Sequence, residues 1–388
     1  MTDIFILSAA RTAIGTFGGS LAGTPPIDTA AHVARAAIAR AGVEAAQIDQ
    51  VVFGHVLNTE PRDMYLSRGA AIEAGVPQST PAMNVNRLCG SGAQALVSAI
   101  QMLQLGDGTL ALAGGAEAMS RAPYAMQAPR FGQKMGDTKM LDMMLGALTC
   151  PFGTGHMGVT AENVAAEFGI SREEQDAFAL LSQTRAATAI AEGRFADQIA
   201  PFELTGRKGA TLFAQDEHPK STTAEALAGL RPAFAKGGSV TAGNASGIND
   251  GASALVLARG DVAGIKPRAR VMGYALAGVD PKVMGLGPIP AVQQLCAKLG
   301  VKPSDFDVVE SNEAFAAQAL AVSRALGLDP ERVNPNGGAI ALGHPVGATG
   351  AILTTKALYE LERSGGKTAL ITMCIGGGQG IALAIERV

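Results

Sequence analysis

Two stretches decide the fold: Ala41-Gly42-Val43 leading into Ile48-Asp49-Gln50-Val51-Val52, and Leu299-Gly300-Val301 leading into Phe306-Asp307-Val308-Val309. Each reads as a helix stopped at a glycine, a short connection, and a buried strand. They lie 258 positions apart, Gly42 against Gly300 and Asp49 against Asp307. The preceding helices match at the same spacing, with Val33, Ala37 and Ala41 over Ala291, Leu295 and Leu299, and Gly92 falls on Gly350. Self-similarity of this kind marks a duplicated unit. The expectation is two similar α/β halves about a pseudo-twofold axis.

Outward from the first stretch the alternation continues. Ile4–Leu7 reads as a strand, Thr29–Ala41 as a helix, and Val51–Phe53 as a strand. A helix is expected over Met64–Ala74 with Asp63 as its N-cap, followed by an apolar segment into Val85 and a small-residue helix over Ala93–Leu105. A strand from Leu110 ends in Gly114-Gly115. Alternating strands and helices imply a parallel sheet with helices on its faces. Residues 120–247 break the alternation and are richer in charge, methionine and proline. Within them Ser171-Arg172-Glu173-Glu174 is a capping box opening a helix that stops at Gly193. The domain reading is an N-terminal half over 1–119 completed by 248–268, an insertion over 120–247, and a C-terminal half over 269–388.

Hydrophobic residues make up 47% of the 388 positions and charged residues 17%, enough for a large core. A net charge of −3 gives no global basic field for nucleic acid. No apolar run approaches the roughly 20 residues of a membrane span, and the N-terminus has no basic leader, so a soluble, cytoplasmic protein is expected. Four cysteines without a C-x-x-C pair, with scattered histidines, argue against a metal site.

The chemistry concentrates in four segments. Cys89 in Asn86-Arg87-Leu88-Cys89-Gly90-Ser91-Gly92 stands before a helix start, where free N–H groups favour a thiolate, and Gly90 and Gly92 leave room for an acyl group. His344 in Gly343–Gly350 could draw off its proton, and the repeat places that loop opposite the Cys89 turn; a loop histidine is equally a polar surface residue. Asn312 in Asn312-Glu313-Ala314-Phe315-Ala316 could hold a water or a carbonyl oxygen, or cap the helix that runs to Leu326. Cys374-Ile375-Gly376-Gly377-Gly378-Gln379-Gly380 follows a strand and exposes backbone N–H groups suited to an oxyanion. One thiolate carrying an acyl group and a second thiol as acid/base would make or break a carbon–carbon bond beside a thioester.

These motifs, with Gly155-His156-Met157-Gly158 and Ala242-Gly243-Asn244-Ala245-Ser246-Gly247, resemble those of the thiolase family over the full chain. The resemblance implies an α/β fold of two βαβαβαββ halves in five layers, α-β-α-β-α, with an inserted loop domain. It implies acyl transfer between acyl-CoA and acetyl-CoA, short- to medium-chain substrates, coenzyme A as substrate with no bound cofactor, and a homotetramer built as a dimer of dimers. It implies that Cys89 is acylated, Cys374 is the acid/base, and His344 with an Asn312-held water steadies the enolate. The N–H groups of Cys89 and Gly376 would form the oxyanion hole. Leu148, His156, Met157, Phe234, Ser246 and Phe315 would line the pantetheine tunnel, with Lys220 near the nucleotide end. Arg87, where many acetoacetyl-CoA-specific members have Gln, points away from narrow specificity. Two alternatives share the superfamily features. A ketoacyl synthase on carrier-protein thioesters pairs its cysteine with two histidines, and a thiolase-like lipid-binding protein loses catalytic side chains.

Overall fold

The computed structural model describes residues 2–206, 209–260, 262 and 264–388. In the N-terminal half, β1 (Ile4–Arg11) leads to α1 (Pro26–Ala41), β2 (Gln50–Gly54), α2 (Leu66–Glu73), β3 (Ala82–Val85), α3 (Ser91–Leu105) and β4 (Leu110–Ala118). The insertion carries α4 (Met157–Phe168) and α5 (Arg172–Ala191), and β5 (Asn249–Arg259) completes the half. The C-terminal half follows as β6 (Ala269–Gly278), α6 (Pro288–Leu299), β7 (Val308–Ser311), α7 (Ala316–Leu326), α8 (Thr349–Ser364), β8 (Thr368–Ile375) and β9 (Gln379–Arg387).

The strands run in the order β7-β8-β9-β6-β1-β5-β4-β2-β3, with the two-residue strand Gly15–Thr16 pairing on β5. Within the sheet the described residues join the halves at two pairs, Phe5 with Arg270 and Ile6 with Ala269. The duplication extends to strand register. Parallel pairing of β2 with β4 sets Val51 against Leu112, and that of β7 with β8 sets Val309 against Leu370, both partners displaced by the repeat length. Gly42 and Gly300 both end their helices at φ +68°, where a side chain would be strained.

Three apolar layers follow from these faces. Val33 and Ala37 of α1, with Leu66 of α2, pack on Val51, Phe53 and Val256 of the first half-sheet. Val292 and Leu295 of α6, with Val322 of α7, cover Val309 and Leu370 of the second. Between the half-sheets lie α3 and α8, whose Leu96, Ile100, Leu353 and Leu358 meet Ile6, Leu257, Ile371 and Leu383. The result is the five-layer α-β-α-β-α order. At the crossing of the two central helices a Cβ on Gly92 would stand 2.8 Å from the Ala351 N, and one on Gly350 would stand 2.2 Å from the Ala93 N. The repeated glycine pair therefore sets how closely those helices approach.

The halves differ at the strand corresponding to β3. In the second half it shrinks to one parallel bridge, Val309 with Val333. Asn334 turns to φ +47° and Pro335 has no N–H, so the ladder cannot continue. The Asn334 amide substitutes for a peptide unit: its Oδ1 accepts from the Ser311 N (2.9 Å) and its Nδ2 donates to the Ser311 O (2.8 Å).

Local expectations fail at two caps. Asp63 does not cap α2. It lies in a 3-10 turn, Pro61–Tyr65, and its carboxylate accepts from the Thr59 and Glu60 N–H groups behind it. Asn312 does not cap α7, whose N-cap is Phe315, because Asn312 is still held to the sheet by its N–H on the Thr372 O (3.0 Å). The capping box at Ser171 and Glu174 forms at the start of α5 as expected. The insertion is anchored by Arg11, fully buried, whose guanidinium donates to both Asp216 oxygens (2.7 and 2.9 Å) and to Gln198 Oε1 (2.7 Å). No helix of the described residues is long and apolar enough to cross a membrane.

Candidate active site

Cys89 follows β3 through a turn tight enough to force Leu88 to φ +46°, a strained value for a branched side chain. The turn is built from its own side chains. Asn86 Oδ1 accepts from the Leu88 N (2.9 Å), while Ser91 Oγ accepts from the Arg87 N (2.8 Å) and donates to the Leu88 O (2.6 Å). Gly90 then caps α3. Across the pseudo-twofold axis, Gly343 at φ +103° ends a short helix and turns the chain into the His344 loop. Cys374 comes from the buried end of β8, and Gly377 and Gly378, both with positive φ, close the hairpin to β9.

One cavity of about 420 Å³ gathers these parts. Its wall includes Cys89, His344, Cys374 and Gly376, together with Leu148, His156, Met157, Lys220, Phe234, Ser246 and Phe315. Of the expected site residues only Asn312 stands behind the wall, fully buried, with its Nδ2 3.5 Å from His344 Nε2 and its Oδ1 without a protein partner. The insertion supplies an aromatic pair, His156 stacked on Phe234 at 4.7 Å, and Phe315 of the C-terminal half meets Phe234 edge-on at 6.0 Å. His156 Nδ1 accepts from the Gly158 N (3.0 Å) and so caps α4. Arg87 reaches from the Cys89 turn to Gln379 Oε1 (2.8 Å), tying that turn to the Cys374 hairpin.

His344 is wired to one tautomer. Its Nδ1 lies 2.6 Å from Thr349 Oγ1, and Thr349 Oγ1 donates its single proton to the Pro345 O at 2.9 Å. With its proton on the Pro345 O the threonine accepts from His344, which sets the proton on Nδ1 and leaves a lone pair on Nε2. The His344 N–H donates to Asn249 Oδ1 (2.9 Å) in the N-terminal half.

The resting charges differ from the helix-start expectation. Cys89 is half-buried on the cavity wall, and desolvation pushes its pKa up, opposed by the N–H groups of Gly376 and of Cys89 itself and reinforced by the Glu117 charge. Burial pulls His344 down to about 4. Burial, then the neighbouring Cys89, pushes the Cys374 thiol up. Desolvation therefore outweighs the favourable field of the helix start. It thus favours the neutral form of all three groups, against that field.

Three participants escaped the sequence reading. His218 lines the cavity, and desolvation, then the Lys220 charge, lowers its pKa to about 4. Asp216-Glu217-His218 carried no motif by itself; only its pairing with the Arg11 loop brings it to the wall. Thr349 lies within the Gly343–Gly350 motif, but its role, like that of Asn249, shows only in its contact with His344.

Comparison with known proteins adds an independent finding. The profile of the thiolase N-terminal domain matches residues 4–261, and that of the thiolase C-terminal domain matches residues 265–387. The chain is 56% identical to the β-ketothiolase BktB of Cupriavidus necator, over 100% of this chain and 99% of that one. Its fold superposes on the crystal structure of the Bacillus anthracis acetyl-CoA acetyltransferase with TM-score 0.98 at 45% identity, covering 100% and 99% of the two chains. It superposes on human mitochondrial 3-ketoacyl-CoA thiolase in complex with CoA with TM-score 0.97 at 43% identity, covering 100% and 98%.

Proposed function

The chain belongs to the thiolase family and catalyses 3-oxoacyl-CoA + CoA ⇌ acyl-CoA + acetyl-CoA, and on that premise we propose that Cys89 carries the acyl group while Cys374 moves the α-carbon proton. The observation that carries the assignment is the single cavity in which Cys89, His344 and Cys374 meet beneath the Gly376 amide.

In the cleavage direction His344 Nε2 takes the Cys89 thiol proton as the sulfur attacks the 3-oxo carbon. Desolvation raises the Cys89 thiol, so its proton is transferred to His344 as the sulfur attacks. The tetrahedral oxyanion sits on the Cys89 and Gly376 N–H groups. The Cα–Cβ bond breaks, acetyl-CoA leaves as its enolate, and Cys374 donates its proton to that carbon. The enolate oxygen is steadied by the protonated His344 and by a water held on the unpartnered Asn312 Oδ1. The CoA thiol then gives its proton to the Cys374 thiolate and its sulfur attacks the acyl carbon; the Cys89–acyl bond breaks, acyl-CoA leaves, and Cys89 takes its proton back from the protonated His344. Condensation reverses each step.

Residues 120–247 act as the CoA-binding insertion, a reading supported by the positions of Leu148, His156, Met157, Lys220, Phe234 and Ser246 on the cavity wall. Short- to medium-chain substrates are supported by the likeness to a β-ketothiolase. A homotetramer is supported by the apolar side chains that the insertion leaves exposed, Phe131 at 92% and Met135 at 91% among them.

The test is radiolabelled acetyl-CoA with wild type and Cys89→Ser, followed by thiolysis kinetics over a 3-oxoacyl-CoA chain-length series. One acetyl per chain on wild type, mapped to Cys89 and lost in the variant, is expected. Stoichiometric acetyl on another cysteine refutes the assignment. Light scattering in solution checks the tetramer.

A further inference from the structure

We propose that Glu117 is a positioning residue of this site: anchored in the N-terminal half, it fixes the His344 loop of the C-terminal half through the Gly347 N–H. The inference rests on His344 being the base for Cys89.

Glu117 lies near the end of β4, with its side chain fully buried. Its Oε2 accepts from the Gly347 N (2.9 Å) and the Val56 N (3.1 Å), and its Oε1 accepts from the Leu57 N (3.1 Å). Two of those donors belong to the chain leaving β2; the third lies three residues after His344. The contact is shaped for this fit. A Cβ on Gly347 would stand 2.5 Å from Glu117 Oε2, and a Cβ on Gly115 would stand 2.2 Å from the Gly347 O. The loop backbone is thus seated on β4, with the carboxylate as its only side-chain hydrogen-bond acceptor there among the described contacts.

What holds Gly347 also holds the histidine. The Ala348 and Thr349 N–H groups both turn back to the Pro345 O (2.8 and 3.0 Å), so His344 to Thr349 moves as one turn. Asn249, on the neighbouring strand β5, holds the His344 N–H at the other end. Two side chains of one half thereby clamp the catalytic loop of the other.

The hydrogen-bond inventory makes Glu117 a carboxylate. Three N–H groups point at it, and His55, whose Nδ1 lies 3.6 Å from Oε1, hydrogen-bonds that same nitrogen to the Ala116 O (3.0 Å). A protonated carboxyl would need an acceptor, and the groups around it are donors. Burial pushes its pKa up, and the neighbouring His55 and the three N–H groups oppose that. Its field raises the Cys89 thiol. Position and field therefore have opposite consequences. Losing the field alone speeds Cys89 ionisation, whereas losing the Gly347 bond misplaces the base and slows it.

Alkylation of Cys89 by iodoacetamide separates them, using the full-length enzyme. Glu117→Ala, which loses every bond, should slow alkylation about tenfold, since a displacement of about 1 Å at a reacting group costs that much or more. Glu117→Gln removes the charge and sets an NH2 against the Leu57 N–H, but keeps its carbonyl oxygen on the Val56 and Gly347 N–H groups, and should stay within about threefold of wild type. In a His344→Ala background Glu117→Ala should change the rate by less than about twofold, because it acts through the absent imidazole. If Glu117→Ala does not fold, Gly347→Ala breaks the same bond from the other side and takes its place. Equal effects of Ala and Gln at 117, faster alkylation in Glu117→Ala, or the same slowing with and without His344 overturns the proposal. Wild-type alkylation in His344→Ala alone overturns the base assignment itself, and this inference with it.

Discussion

Replacing Thr349 by valine tests the tautomer of His344 directly. Valine keeps the shape of the side chain and removes the oxygen that accepts the Nδ1 proton at 2.6 Å. A buried N–H left without its acceptor costs about 1–3 kcal/mol. The imidazole escapes that cost by moving its proton to Nε2, the atom that in the proposed mechanism must be free to receive the Cys89 proton. At about 1.4 kcal/mol per tenfold, the base-competent tautomer falls roughly 5- to 150-fold, and thiolysis kcat falls with it. The substrate KM should change little, because Thr349 lies behind the histidine and not on the cavity wall. Steady-state thiolysis of acetoacetyl-CoA gives the rates, and ¹⁵N shifts of labelled His344 report which nitrogen bears the proton. Thr349→Ser, which restores the hydroxyl, should recover most of the activity. A Thr349→Val enzyme with wild-type kcat and unshifted ¹⁵N resonances would refute the argument.

Stability should fall on acidification. His344 and His218 are both lowered to about 4, from an ordinary value of 6.5. The unfolded chain binds protons first, so each contributes stability above pH 6.5 that is lost as pH falls to about 4, at most about 3 kcal/mol for a buried histidine and less for the less enclosed His218. Urea midpoints against pH measure the slope, and His218→Asn should flatten part of it. Gly350→Ala sets a Cβ 2.2 Å from the Ala93 N and 2.6 Å from the Ala93 Cβ, so α3 and α8 must separate. A loss of about 2 kcal/mol or more is expected, and an unchanged urea midpoint would contradict the packing argument. Asp216→Ala leaves the Arg11 guanidinium buried without its carboxylate and should cost about 3–5 kcal/mol, read from the same denaturation curves.

The sequence by itself determined much of this protein. Helix stops at Gly42 and Gly300, the capping box at Ser171, and the period of apolar residues are local properties, set by backbone sterics and by neighbours a few positions apart. The 258-residue repeat carried that information to the long-range level, since two similar sequences build similar sheets, down to matched strand register. It also placed the His344 loop opposite the Cys89 turn, although a loop histidine alone says nothing of its partner.

Only the tertiary structure decided the rest, for two physical reasons. Protonation depends on solvation, which sequence does not display. The helix start at Gly90 argues for a thiolate at Cys89, and burial together with Glu117 overrides it. Orientation depends on partners far apart in the chain. The tautomer of His344 is set by Thr349, its backbone by Asn249, and its loop by Glu117, and Asn312 is drawn to the sheet instead of capping α7. Residue types such as Cys89, His344 and Cys374 announce which chemistry is available. The protons those residues hold, and the direction each one faces, come into being when two halves of one chain close on each other.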